Sequence, residues 1–176
     1  YADTSRGLAS VSVGKGKVLK QANWEVNPMS LLDGKGQTEP DSPKESVFLQ
    51  IQDGTYGNLL IDLGKEIGID KINSYSWHQH QRIKDHKNRA QQVFTLYGLK
   101  DEELPDLNLP ANETGWNRIV RVNSDRFFDV QEDIDRPAQQ ACSIFASKGQ
   151  IGRYRYLLIE VHGPTFFGEI DVFGAQ

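Results

Sequence analysis

Apolar and polar positions along this chain alternate mostly with a period of two, and no long stretch shows the 3.6-residue period of a helix. In residues 46–52, Val47, Leu49 and Ile51 fall on one side. In residues 71–77, Tyr75 and Trp77 point one way and Ser74 and Ser76 the other. Residues 59–63 form a nearly continuous apolar run that stops at Gly64, and residues 92–97, rich in β-branched and aromatic side chains, stop at Gly98. Weaker strand patterns occupy 8–13 and 17–20, and stronger ones 117–122, 140–146 and 153–161. Turns separate them at Gly14-Lys15-Gly16, Asp33-Gly34 and Asp53-Gly54. Many short strands at close spacing predict an all-β, antiparallel sandwich.

Composition narrows this further. A chain of 176 residues with 38% hydrophobic content reads as one domain, 1–176, that buries a core without disulfides, after a mobile lead-in over residues 1–7. The formal net charge of -4 argues against a nucleic-acid partner, which calls for a basic surface. No apolar run approaches the roughly 18 residues of a membrane helix. Cys142 is the only cysteine and is expected as a buried thiol. Trp24 reads as a core residue rather than a ligand platform.

The densest chemistry lies between two well-patterned strands. Residues 78–89 hold His78, His80 and His86, three of the chain's four histidines, together with Arg82, Lys84, Lys87 and Arg89. Loops carried on a rigid scaffold are where binding sites gather. His78 and His80, two apart at a strand end, would put both imidazoles on one side, as a metal site needs. A cupin-like oxygenase would add a glutamate shortly after, but residues 82–86 are Arg-Ile-Lys-Asp-His, and four nearby cations repel a divalent metal. No Gly-x-Ser-x-Gly occurs, Cys142 has no evident histidine partner, and Glu102-Glu103 and Glu132-Asp133 stand in polar stretches. The chain is therefore expected not to be an enzyme.

Sugar recognition suits the same loop. A neutral histidine both donates and accepts hydrogen bonds, and the planar arginine fork spans two adjacent hydroxyls. Tyr56, in the turn before residue 58, is either a stacking residue beside this loop or a plain exposed tyrosine. The positive loop also admits an acidic or sulfated glycan.

Two other segments matter. Asp33, with Gly34, Gly36 and the Thr38 hydroxyl, supplies the hard oxygens and tight curvature that calcium favours, or else forms an ordinary turn capped by Asp33. Residues 99–114 form an acidic, leucine-bearing insertion with a short helical turn over 100–104, limited by Pro105 and Pro110. Asn112-Glu113-Thr114 within it fits an N-glycosylation pattern.

Several of these stretches together resemble the discoidin family. They are Ile61-Asp62-Leu63-Gly64, residues 72–78, Arg89-Ala90 and Phe94-Thr95-Leu96-Tyr97-Gly98. Asp33-Gly34 with Thr38 is similar to the family's D-G-x-x-x-T turn, and residues 156–161 and 169–174 to its closing strands. That family includes coagulation-factor type C domains and many carbohydrate-binding modules. The resemblance implies a galactose-binding-like jelly roll of about eight main strands, with the first and last strands paired at one end. It implies a structural calcium held by Asp33, Thr38 and Glu169, although Pro40 stands where the family often has tryptophan. For sugar contact it implies His78, then Arg82 or Arg89, then Phe166 or Phe167, with His80 at the same mouth; Arg89 could equally serve a salt bridge at a strand start. The implied partner is a glycan, outside the cell, in the periplasm or on a cell surface, and a place in a larger multidomain protein is open. The alternative is a protein- or membrane-surface interaction module. A membrane partner is disfavoured, since Ile83 is the loop's only large apolar residue.

Overall fold

The computed structural model describes residues 9–18, 27–38, 45–50, 57–78, 92–100, 102–124, 138–162 and 165–175. The lead-in 1–7 and Trp24 lie outside them. The described residues form ten strands: β1 (Ser10–Lys15), β2 (Lys17–Val18), β3 (Val47–Gln50), β4 (Asn58–His78), β5 (Val93–Leu99), β6 (Asn117–Asn123), β7 (Ala138–Phe145), β8 (Gly152–Val161), β9 (Phe166–Phe167) and β10 (Glu169–Ala175). β2 and β9 are two residues each, which leaves eight longer strands, and the described pairings are antiparallel. The fold class is the expected antiparallel β-sandwich. Among the described residues no helix is long and apolar enough to cross a membrane.

One strand organises the rest. The two apolar stretches on either side of Gly64 read as separate strands, yet they form a single 21-residue strand, β4. Gly64 sits at φ 78°, where a side chain would be strained, and turns the chain without ending it. Asp62 Oδ1 accepts the Gly64 N–H at 2.8 Å, while Arg155 clamps both Asp62 oxygens at 3.0 and 3.2 Å. The register against β8 shifts between Asp62 and Ile67. β8 pairs with β4 on both sides of this corner; β1 joins before it, and β10 and β7 beyond it. β5 continues from β8, and β6 from β5. A small sheet orders β2, β3 and β9. β1 and β10 were expected to pair with each other. Each pairs with its own half of β4 instead, because the long strand separates them.

Side-chain parity then sets the core. Leu59 and Ile61 from one half of β4, Ile69 and Ile72 from the other, Leu157 and Ile159 of β8, and Ile170 and Val172 of β10 are buried in one cluster. The opposite face of the first layer is covered as well. Leu60, Tyr97, Leu99, Tyr156 and Leu158 form a second cluster, closed by Ala111 of the insertion and by Trp116 just after it, with Leu107 packed against it. The helical turn in that insertion is at Ala111–Glu113; residues 102–106 form none.

Candidate functional site

The histidine- and arginine-bearing segment leaves β4 at His78 and returns before β5. His80, Arg82, Arg89 and Tyr56 lie outside the described residues, and His78 is described by its backbone, paired with Ala138 of β7. What the structure does describe is the chain at the start of β5. Gln92, buried just before β5, joins three elements there. Its Oε1 accepts from Ser74 Oγ at 2.6 Å, its N–H donates to Ser124 Oγ at 2.7 Å, and its Nε2 donates to the Phe166 carbonyl at 3.4 Å. Ser124 N–H returns a bond to the Gln92 carbonyl at 3.0 Å. Thr165 Oγ1 accepts the Val93 N–H at 3.1 Å, and His162 N–H donates to the Val93 carbonyl at 2.8 Å. Buried polar groups with partners fix geometry, since each would otherwise lose water without compensation.

Phe166 and Phe167, one of which was expected to contact sugar, are both buried. Phe166 is 8% exposed and Phe167 fully buried, its ring 5.7 Å from that of Phe94 in the core. Pairing of β9 with β3 draws both into the interior, so neither presents a face to a ligand.

The candidate calcium loop is built differently from its expectation. A five-residue 3-10 turn, Pro28–Leu32, is capped by Asn27 Oδ1 on Met29 N–H and ends at Asp33. Asp33 Oδ1 accepts the Lys35 N–H at 2.8 Å, and Gly34 at φ 78° turns its N–H onto Glu169 Oε1 at 3.1 Å. Gln37 then pins the loop to the sheet: its N–H donates to Gln139 Oε1 at 2.6 Å, and its Oε1 accepts the Trp77 N–H at 2.9 Å. Glu169 is 4% exposed, and its Oε2 accepts no hydrogen bond from the described residues. Burial, above all, pushes its carboxyl up to about 8, with Asp33 and Asp171 adding repulsion and the Gly34 and Lys35 amides opposing. Glu169, on β10, thus lies against the Asp33 loop. Thr38 departs from it: its hydroxyl donates to the Glu45 carboxylate at 3.0 and 3.2 Å, and its N–H to the same group at 2.9 Å. Among the described residues no group of three or more His, Cys, Asp or Glu side chains could hold a metal, so a cation here would need backbone carbonyls too.

No family model and no curated protein sequence matches the chain. Solved structures do. CpGH89CBM32-6 from Clostridium perfringens is 15% identical, with 96% of this chain and 94% of that one covered at a TM-score of 0.53. The family 32 CBM of Clostridium perfringens NanJ, solved with galactose, is 11% identical over 95% and 94%, TM-score 0.52. The chain has the fold of the family 32 carbohydrate-binding modules. Allantoicase from Saccharomyces cerevisiae shares it at 17% identity and TM-score 0.55, where this chain spans 99% of its own length and 42% of the enzyme's.

Within the family 32 fold, two features here escaped the sequence reading. Gln92 shares parity with the inward Phe94 and Leu96, which marks it as buried, but its partners are distant in sequence. The second is the cover that the insertion lays over the outer face.

Proposed function

We propose that this chain is a non-catalytic carbohydrate-binding module acting outside the cytoplasm. It takes a glycan at the end of the sandwich where β4 finishes and β5 begins. The observation that carries this reading is the fold: structures that share it over nearly the whole chain were solved with galactose and with GalNAc-β-1,3-galactose. The buried Gln92 hub supports it by fixing the start of β5, where the segment that bears His80, Arg82 and Arg89 ends in the chain. His78, His80, Arg82 and Arg89 supply hydrogen bonds to sugar hydroxyls, with Tyr56 as the stacking aromatic. A shallow site of this kind buries little area, so affinity for a single sugar should be on the order of millimolar to tens of micromolar.

The proposal includes a structural calcium at the Asp33 loop, with Glu169 and Asp33 as its side-chain ligands and backbone carbonyls completing the set. The buried Glu169 Oε2 and the raised carboxyl favour a cation at that place. When bound, it would neutralise the buried carboxylate and hold the loop to β10. The residues themselves exclude water there and orient the oxygens.

Titration calorimetry of the wild type beside His78→Ala and Arg89→Ala, each checked for an unchanged melt, tests the sugar reading. Each variant should lose about 1–3 kcal/mol of binding, the cost of a lost ligand hydrogen bond. Equal binding by all three would move the site elsewhere, and no binding across a broad glycan panel would favour a surface-interaction module.

A further inference from the structure

A second cleft lies on the outer face of the first layer, under the tip of the insertion. The strand registers build its floor. Lys15 of β1 is paired with Asn58 of β4, Asn58 with Glu160 of β8, and Glu160 with Thr95 of β5. Directly opposed residues project to the same side of a sheet, so these four form one polar row across four strands. The neighbouring row on that face is apolar, with Leu60 and Tyr97 both opposite Leu158, and is sealed beneath the insertion. The cover stops at the polar row. Leu109 and Pro110 overhang it and, with Lys15, Asn58, Glu160 and His162, line a cleft of about 300 Å³.

The polar groups in this row are only partly satisfied by one another. Asn58 is 3% exposed; its Nδ2 donates to the Leu107 carbonyl at 3.0 Å, but its Oδ1 accepts nothing from the described residues. Glu160 Oε2 accepts the Ala111 N–H at 3.3 Å, whereas His162 Nε2, at 3.6 Å, is too far from Oε1 for a hydrogen bond. His162 Nε2 is instead 2.8 Å from Thr95 Oγ1, and Lys15 Nζ reaches the Asn108 carbonyl at 3.3 Å on the rim. The partly exposed Glu160 carboxylate, an ammonium donor beside it and an apolar overhang define a ligand with several O–H donors and a C–H face. One carboxylate facing a lysine and a histidine offers neither a cation site nor an anion site. The volume is at the small end of ligand pockets.

We propose that this cleft is a second binding site, one that takes a single pyranose ring or a polyol of that size. The ligand class rests on the carbohydrate reading above; the cleft does not. Leu109 closes the mouth with its apolar face, Glu160 accepts from ring hydroxyls, and Lys15 donates to a ring or exocyclic oxygen. The insertion thereby acts as the wall of a site as well as a cover.

The test is an amide NMR titration of the full chain, with calcium present, using D-galactose, D-glucose and N-acetyl-D-galactosamine. Asn58 and Ala111 report the cleft; His78 and Ser124 report the loop end. At least one sugar should shift Asn58 and Ala111 saturably. Leu109→Trp, at a position 53% exposed and so tolerant of a larger ring, should abolish those shifts, and Glu160→Gln should weaken them about tenfold. Arg89→Ala should leave them in place. Cleft shifts that persist while the loop reporters stay silent would retain this inference and overturn the loop reading. Cleft silence with a responding loop end would overturn this inference alone, as would cleft shifts unchanged by Leu109→Trp. Silence at both places overturns both.

Discussion

At Glu169 burial and ionisation oppose each other. Its folded-state pKa of about 8 lies above the ordinary glutamate value of 4.5, so the fold prefers the protonated form. Stability from that preference is fully present below about pH 4.5 and is lost as pH rises towards 8. In chelator, the melting temperature should therefore fall between pH 5 and 8. Glu169→Gln should flatten that slope and melt above the wild type at pH 8, by on the order of a few kcal/mol. Added calcium should reverse the order, raising the wild type and leaving the variant unmoved; a wild type indifferent to calcium would remove the cation from the proposal. A second expectation concerns Gln92. Gln92→Ala strands Ser74 Oγ and the Phe166 carbonyl in the interior, while the backbone bond to Ser124 survives, and should cost about 2–3 kcal/mol in a denaturant melt. The sequence made both residues visible to different degrees. Glu169 stood out through a family pattern, yet nothing local foretold its burial or that Thr38 would turn to Glu45. Gln92 carried inward parity, but its partners lie 18 and 32 positions away, beyond any local periodicity.

At the scale of elements, the insertion between β5 and β6 is the clearest departure from what the chain pattern suggested. It reads as an acidic loop with scattered leucines, and it folds as a lid over apolar side chains of the outer sheet face. The signal was present in the strands rather than in the insertion. Leu59-Leu60-Ile61 and Leu157-Leu158-Ile159 are continuous apolar runs, which mark strands buried on both faces. Trp116 anchors this cover and is 7% exposed. Trp116→Ala should cost about 3–5 kcal/mol in equilibrium unfolding and raise binding of an apolar dye, because Tyr156 and Leu158 lose their cover. β9 taught a similar lesson. One of two adjacent phenylalanines was expected to contact a ligand, yet the two-residue strand they form, paired with β3, buries both.

For the molecule as a whole, most strand positions and the sandwich class were legible from period-two alternation and turn residues. The joining of two stretches into β4 was not, because a glycine after an apolar run is as compatible with a stop as with a corner. Gly64→Ala would place a side chain at positive φ and should cost about 1–2 kcal/mol without altering the sheet order. The corner also has a kinetic side. β4 takes its pairing from β1, β7, β8 and β10, and the registers join Val11 to Ile61, Asn58 to Glu160 and Tyr75 to Glu169. Such pairings require closure of long chain segments before they yield any gain, so the chain should refold slowly, on a timescale of about milliseconds to seconds. β8 pairs with both halves of β4 and so ties them into one unit. Deuterium should therefore enter the amides of Ile61, Ile69 and Ile72 at one common rate, set by complete unfolding, while amides at the Asp33 loop trade their protons sooner.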